Sequence, residues 1–242
     1  MGMAPRVSRG DEAELYVQNL FENGIISQNM FGVDYKNTDQ QSKITLGGYD
    51  KSVVPNDTSF AYVDLIDTFY WSVRHTESTY GSTPLDFTAT RAILDTGTSL
   101  TYFPSSDFNR LWSEISKGKN CGFSSGSGFR ACECEDEGDF EDITFHFGDF
   151  IFYFPASAYV TVNRRLIGEN ICELWIDELD FNLGQPSLLI GDSFLRNYYI
   201  LHDAQSLRVG LFGKATADGM GYDISKWSLM TLVLLFTIYT LI

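Results

Sequence analysis

Asp95 is the residue best placed for chemistry. It follows the apolar run Ala92-Ile-Leu94 and opens the turn Thr96-Gly-Thr-Ser99. A buried strand that ends in a Gly-containing turn presents its last carboxylate for work rather than for packing. Gly97 lets other backbone approach the turn closely, and Thr98 can hydrogen-bond an ionised oxygen of Asp95. Such a carboxylate can hold a water or take a proton from it. Acid–base hydrolysis of an amide also needs a second carboxyl, because two adjacent acids cannot both ionise and so share one proton. The sequence contains no other Asp-Thr-Gly and no Asp-Ser-Gly.

Other chemistries find weaker footing. Gly191-Asp-Ser-Phe-Leu195 is superficially similar to the Gly-Asp-Ser-Leu start of a family of serine esterases, with Ser193 as nucleophile. Those enzymes need an Asp three positions before a late His. Here the late histidine is His202, and Tyr199 occupies the position of the Asp, so the serine lacks an oriented base. No Gly-x-Ser-x-Gly, His-Glu-x-x-His or phosphate-cradling Gly-Lys motif occurs. Cys121, Cys132, Cys134 and Cys172 lack zinc spacing, and His75, His146 and His202 are scattered, so neither metal nor cofactor is expected. Disulfides are the better reading, with three connectivities open. A net charge of −15 without a Lys/Arg cluster excludes nucleic acid as a partner.

The elements that must position Asp95 read as mostly β. The chain is 44% apolar and 15% aromatic, enough for a substantial core. Asp11 to Asn23 has helical spacing in Leu15, Leu20 and Phe21, stopped by Gly24. Strands are expected at 31–35, 43–46, 60–65, 69–73, 143–147, 150–154, 159–162, 171–176, 187–190 and 208–212. Gly148-Asp149 reads as a tight hairpin turn. One helix is clear: Pro104-Ser105 opens it, Phe108, Leu111, Trp112 and Ile115 share one face, and Gly118 closes it. Residues 118–139 read as a Cys/Gly/Ser loop. Tyr70, Trp71 and Phe87 are either pocket-lining or core aromatics, while Asp192 and Arg196 read as solvent or salt-bridge residues.

The run Arg91-Ala-Ile-Leu-Asp-Thr-Gly-Thr-Ser-Leu-Thr-Tyr-Phe103 resembles the second active-site motif of pepsin-like aspartic proteases. Leu188-Leu-Ile-Gly-Asp-Ser-Phe-Leu-Arg-Asn-Tyr-Tyr199 looks like the block that threads beside the catalytic turn. Tyr199-Ile-Leu-His-Asp203 and Arg208-Val-Gly-Leu-Phe212 look like the closing hairpin. Leu20 to Phe31 and Thr45-Leu-Gly-Gly-Tyr49 match the interlobe region and the hairpin that follows it, in family order.

The resemblance implies a single lobe of the bilobal acid-protease fold. It implies catalysis by Asp95, cross-lobe hydrogen bonds from Thr96, and support of the turn by Gly97, Thr98 and Gly191. It also implies a bridge between Cys134 and Cys172, leaving Cys121 to pair with Cys132. Residues 1–30 read as the end of a first lobe and a linker, 31–214 as the second lobe, and 215–242 as a spacer and anchor signal. The expected partners are a polypeptide substrate and either a missing first lobe or a second copy. An incomplete protease chain is favoured over a self-pairing half-molecule, as in retroviral single-lobe enzymes, and over an inactive binding lobe.

Asn56-Asp-Thr58 is a glycosylation acceptor triplet in a turn. Trp227 to Ile242 is nearly all apolar; its 16 residues would span roughly 24 Å as a helix, short of a bilayer core. With the small residues from Ala215 to Gly219 and the spacer ending at Lys226, the pattern matches a lipid-anchor signal, with a short membrane span as the alternative. The expected location is the secretory pathway: the outer face of a membrane or a lysosome- or vacuole-like compartment.

Overall fold

In a computed structural model of the chain, residues 3–5, 15–36, 41–164, 170–180 and 184–213 are described. Residues up to Phe212 form one compact unit, and Gly213–Ile242 is a second, of which only Gly213 is described. The expected tail at 215–242 lies outside the described residues.

α1 (Tyr16–Glu22) leads into β1 (Met30–Asp34), β2 (Lys43–Leu46) and β3 (Ala61–Asp64). β4 (Ser72–Tyr80) and β5 (Thr83–Leu85) form a hairpin; β6 (Arg91–Leu94), β7 (Thr101–Phe103) and α2 (Ser105–Ile115) carry the chain past Asp95. Then come β8 (Cys121–Phe123), β9 (Arg130–Cys134), β10 (Ile143–Phe147), β11 (Phe150–Phe154), α3 (Ala156–Tyr159) and β12 (Val160–Asn163). β13 (Asn170–Leu174), β14 (Ile176–Glu178), β15 (Ser187–Ile190), α4 (Asp192–Leu195), β16 (Tyr198–Asp203) and β17 (Arg208–Gly213) complete the described elements.

Three sheets result, in the strand orders β2-β1-β16-β17-β3, β11-β10-β4-β6-β15-β7-β14 and β12-β13-β9-β8. The fold is mostly β. α2 forms because Phe108, Leu111 and Ile115 fall on one buried face. Asp107, fully buried in its first turn, accepts the backbone N–H groups of Thr88 at 2.7 Å and Ala89 at 2.9 Å. That fixes α2 to the strand leading to Asp95. Phe194 of α4 meets Phe145 and Phe154 edge-on at 5.5 and 5.6 Å, seating α4 on the β10–β11 hairpin. Gly148, with φ +58°, makes that hairpin's turn in the left-handed region that glycine tolerates.

Several expectations are corrected. The loop expected at 118–139 contains β8 and β9, which find their pairs in each other and in β13. The strand expected at 69–73 begins instead at Ser72 and runs to Tyr80; Phe69 and Tyr70 are exposed before it. The strand expected from Tyr159 begins at Val160, after a single helical turn, α3. α4 is likewise a short helical turn, between β15 and β16.

His202 is completely buried, stacked on Phe31 at 4.3 Å and edge-on to Trp71 at 4.8 Å. Burial pushes its imidazole down to about 3. An unfolded histidine titrates near about 6.5, so as pH falls the unfolded chain binds the proton first. The stability His202 contributes is therefore full above about 6.5 and is lost towards pH 3, at up to about 1.4 kcal/mol per pH unit. His202→Phe should flatten this acid sensitivity, retaining about 2 kcal/mol at pH 5 that the parent loses. Urea unfolding at pH 7 and pH 5 measures it; equal losses in both proteins would refute the assignment.

Candidate active site

β6 is buried at all four positions and pairs in parallel with β15, Leu94 opposite Ile190. β15 also pairs with β7, Leu189 opposite Tyr102, so it runs between the two strands that flank the Asp95 turn. Asp95 is the first residue past β6, and its N–H donates to Ile190 O at 2.9 Å. The chain leaving β15 locks onto the turn: Asp192 N–H donates to Thr98 O at 2.7 Å, and Ser193 N–H to Ser99 O at 2.9 Å. Gly191 sits where this approach is closest. A Cβ there would overlap the Leu100 carbonyl oxygen and lie 2.6 Å from Thr98 O. Only glycine leaves that space free.

The carboxylate of Asp95 is held at both oxygens. Thr98 Oγ1 donates to Oδ2 at 2.6 Å, and Gly97 N–H donates to Oδ1 at 2.9 Å. Asp95 is half-buried, Thr96 and Gly97 are exposed, and no cation pairs with Asp95 among the described residues. This acid is oriented yet open, the state required to hold a water. Trp71 O accepts the N–H of Leu94 at 2.9 Å, joining the start of β4 to the end of β6. Trp71 itself belongs to the core, Phe87 packs partly buried against it, and Tyr70 is exposed.

Tyr35 carries no signal in the local sequence pattern, yet it reaches the turn. Its hydroxyl donates to Thr96 O at 3.3 Å. Burial first, and then the Asp192 and Asp95 carboxylates, push its hydroxyl well above the usual phenol range, so it stays a donor. Asp192 pairs with Arg196 at 3.6 Å. The signal that could locate Tyr35 is its place at the end of β1, next to β16, which follows α4 directly.

Thr98→Val should remove the hydroxyl donor to Asp95 at nearly constant volume. We expect a loss of about 1.5–3 kcal/mol in stability, the range for hydrogen bonds to charged groups. Denaturant unfolding measures it, and an unchanged midpoint would show that the Thr98–Asp95 bond does not hold the turn.

The rival candidates, Ser193 and His202, form no catalytic pair. Ser193 is fully buried with its Oγ 3.1 Å from Thr101 Oγ1, and His202 is enclosed by Phe31 and Trp71. Ser193 therefore has neither access to substrate nor a base, and the esterase chemistry has no site. Disulfides join Cys121 to Cys132 and Cys134 to Cys172. Asn56 is exposed, and Thr58 Oγ1 donates to its Oδ1 at 2.6 Å.

A family described as eukaryotic aspartyl protease matches residues 1–214. Pepsin A of Gallus gallus is 31% identical over 221 residues, covering 87% of this chain and 54% of the relative. Cathepsin E of Oryctolagus cuniculus is 30% identical over 213 residues, covering 86% and 51%. The chain thus spans about half the length of the curated relatives it matches. The crystal structure of an aspartic proteinase from Irpex lacteus superposes with a TM-score of 0.70 at 23% identity, over 85% of this chain and 63% of that one.

Proposed function

The chain belongs to the eukaryotic aspartyl protease family, and on that premise we propose that it provides one half of a two-carboxylate site that hydrolyses peptide bonds. The observation that carries this reading is Asp95, half-buried on an exposed turn with both oxygens oriented and no cation among the described residues neutralising it. The sequence holds a single Asp-Thr-Gly, so the second acid comes from a first lobe or from a second copy. A water lies between the two acids, which share one proton. The ionised carboxylate takes a proton from the water as its oxygen attacks the amide carbon, and the protonated one donates to the carbonyl oxygen. The tetrahedral adduct then collapses as a proton passes to the leaving nitrogen. No covalent enzyme intermediate and no cofactor enters. The exposed Thr96 extends the contact to the other half.

The test is cleavage of an acid-denatured protein by the purified chain, alone and refolded with a first-lobe polypeptide, with and without pepstatin. Pepstatin-sensitive cleavage by the chain alone supports self-pairing; cleavage only in the mixture supports the two-lobe form. Cleavage that pepstatin leaves untouched would overturn the reading.

The two disulfides fit an oxidising compartment, and we place the protein in the secretory pathway. The apolar tail serves as a lipid-anchor signal or a short membrane span, and the exposed Asn56 carries a glycan. A mobility shift on enzymatic deglycosylation that Asn56→Gln removes tests the glycan; recovery of the full-length protein in the soluble fraction of broken cells would exclude the anchor.

A further inference from the structure

All four cysteines lie in one sheet. In β12-β13-β9-β8 the strand β9 lies between β8 and β13. Cys132 of β9 is directly opposite Cys121 on one side and directly opposite Cys172 on the other. Directly opposed residues share a face, and so do residues two apart in a strand, so all four sulfurs stand on the same face. Cys132 is bonded to Cys121, whereas Cys172 is bonded diagonally to Cys134.

Access to the two bridges differs sharply. Cys121 is half-buried on the edge strand, while Cys132, Cys134 and Cys172 are 1%, 6% and 0% exposed. Of the four, Cys121 is the residue that an external thiolate can approach. The sulfur it displaces is Cys132, which emerges beside Cys172.

We propose that Cys121–Cys132 is a thiol-exchange site for a dithiol reductant, and that Cys132, once released, exchanges into the neighbouring bridge to give Cys132–Cys172. In the first step a dithiol thiolate attacks Cys121 Sγ, the Cys121–Cys132 bond breaks, and Cys132 leaves with the electron pair. The second thiol of the reductant attacks the mixed disulfide, freeing Cys121 as a thiol and leaving the reductant as a cyclic disulfide. Two electrons have passed to the protein. In the second step Cys132 attacks Cys172 Sγ, the Cys134–Cys172 bond breaks, and the proton given up by Cys132 is taken up by Cys134. This step is an isomerisation and consumes no electrons.

Loop entropy does not oppose the second step. The bridge lost closes a separation of 38 residues, and the bridge gained, from 132 to 172, closes one of 40. The chain-entropy stabilisation of the two is the same within about 0.1 kcal/mol. Both forms also keep β13 tied to β9.

The experiment treats the folded full-length chain with limiting dithiothreitol, quenches in acid, alkylates in denaturant and maps the peptides. The expected result is about one alkyl group on Cys121, a second divided between Cys132 and Cys134, and a Cys132–Cys172 cross-linked peptide within about tenfold of the Cys134–Cys172 one. Alkylation confined to Cys121 and Cys132, with Cys134–Cys172 alone among the cross-linked peptides, would overturn the exchange. A second arm needs no reductant: in Cys121→Ser, Cys132 has no partner, and Cys132–Cys172 should form to within about tenfold of Cys134–Cys172. Finding Cys134–Cys172 alone in that variant would also overturn it. Neither arm depends on proteolytic activity.

Discussion

Asp95→Asn should lower peptide hydrolysis roughly 1,000-fold in a preparation that supplies both carboxylates, while the fold survives. The replacement is isosteric. The Gly97 N–H can still donate to the side-chain oxygen, and the turn keeps its backbone bonds to Ile190 and Asp192. What disappears is the capacity to ionise, and a carboxamide neither takes a proton from water nor shares one with a neighbouring acid. Initial rates on a peptide substrate, set beside denaturant unfolding, separate the two effects. A variant that retains more than a tenth of the parent rate would show that another group is the base; one that unfolds would show that the carboxylate is structural.

Gly191→Ala should be the most destabilising small substitution near the site, at about 4 kcal/mol or more. The backbone of Gly191 has φ −99°, which alanine adopts without strain, so the cost lies wholly in the space the methyl would claim. That space belongs to the carbonyls of Leu100 and Thr98, backbone atoms that cannot rotate away. β15 would have to withdraw from the turn, breaking the Asp192–Thr98 and Ser193–Ser99 hydrogen bonds together. A lowered denaturant midpoint with loss of activity checks this, and a midpoint within about 1 kcal/mol of the parent would mean that β15 does not lie where it is placed here.

How much of this was legible depends on how local the cause is. α2 was, because a buried face at helical spacing is written in consecutive residues, and so was the hairpin at Gly148, where two aromatic runs flank a glycine. The second half of β4 was not. Arg74 to Thr79 reads as polar, yet it is central in its sheet, because His75 is satisfied internally by Ala89 O at 2.6 Å and Ser78 Oγ at 2.8 Å. Burial of a polar strand depends on partners that no window of sequence contains. β8 and β9 show the same limit: a Gly/Ser-rich stretch becomes a ribbon because β13, well downstream, supplies the next row of hydrogen bonds. At the site, Asp95 was visible from its turn chemistry. The insertion of β15 between β6 and β7 was accessible only through family resemblance, since nothing in Leu188-Leu-Ile190 states which strands will accept it. Tyr35 was invisible because its role comes from a contact between β1 and the turn after β6.

Among the described residues the Asp95 turn is tied by Thr98 and Gly97 at the carboxylate, Ile190 at its amide, Tyr35 at the Thr96 carbonyl, and Asp192 and Ser193 at the carbonyls of Thr98 and Ser99. Such a loop is a finished receptor. A complementary lobe arriving from outside would lose little conformational freedom in ordering these hydrogen-bonded residues. Mutations that loosen the loop should then weaken assembly by restoring that ordering cost, even where every contact made between the halves is unchanged.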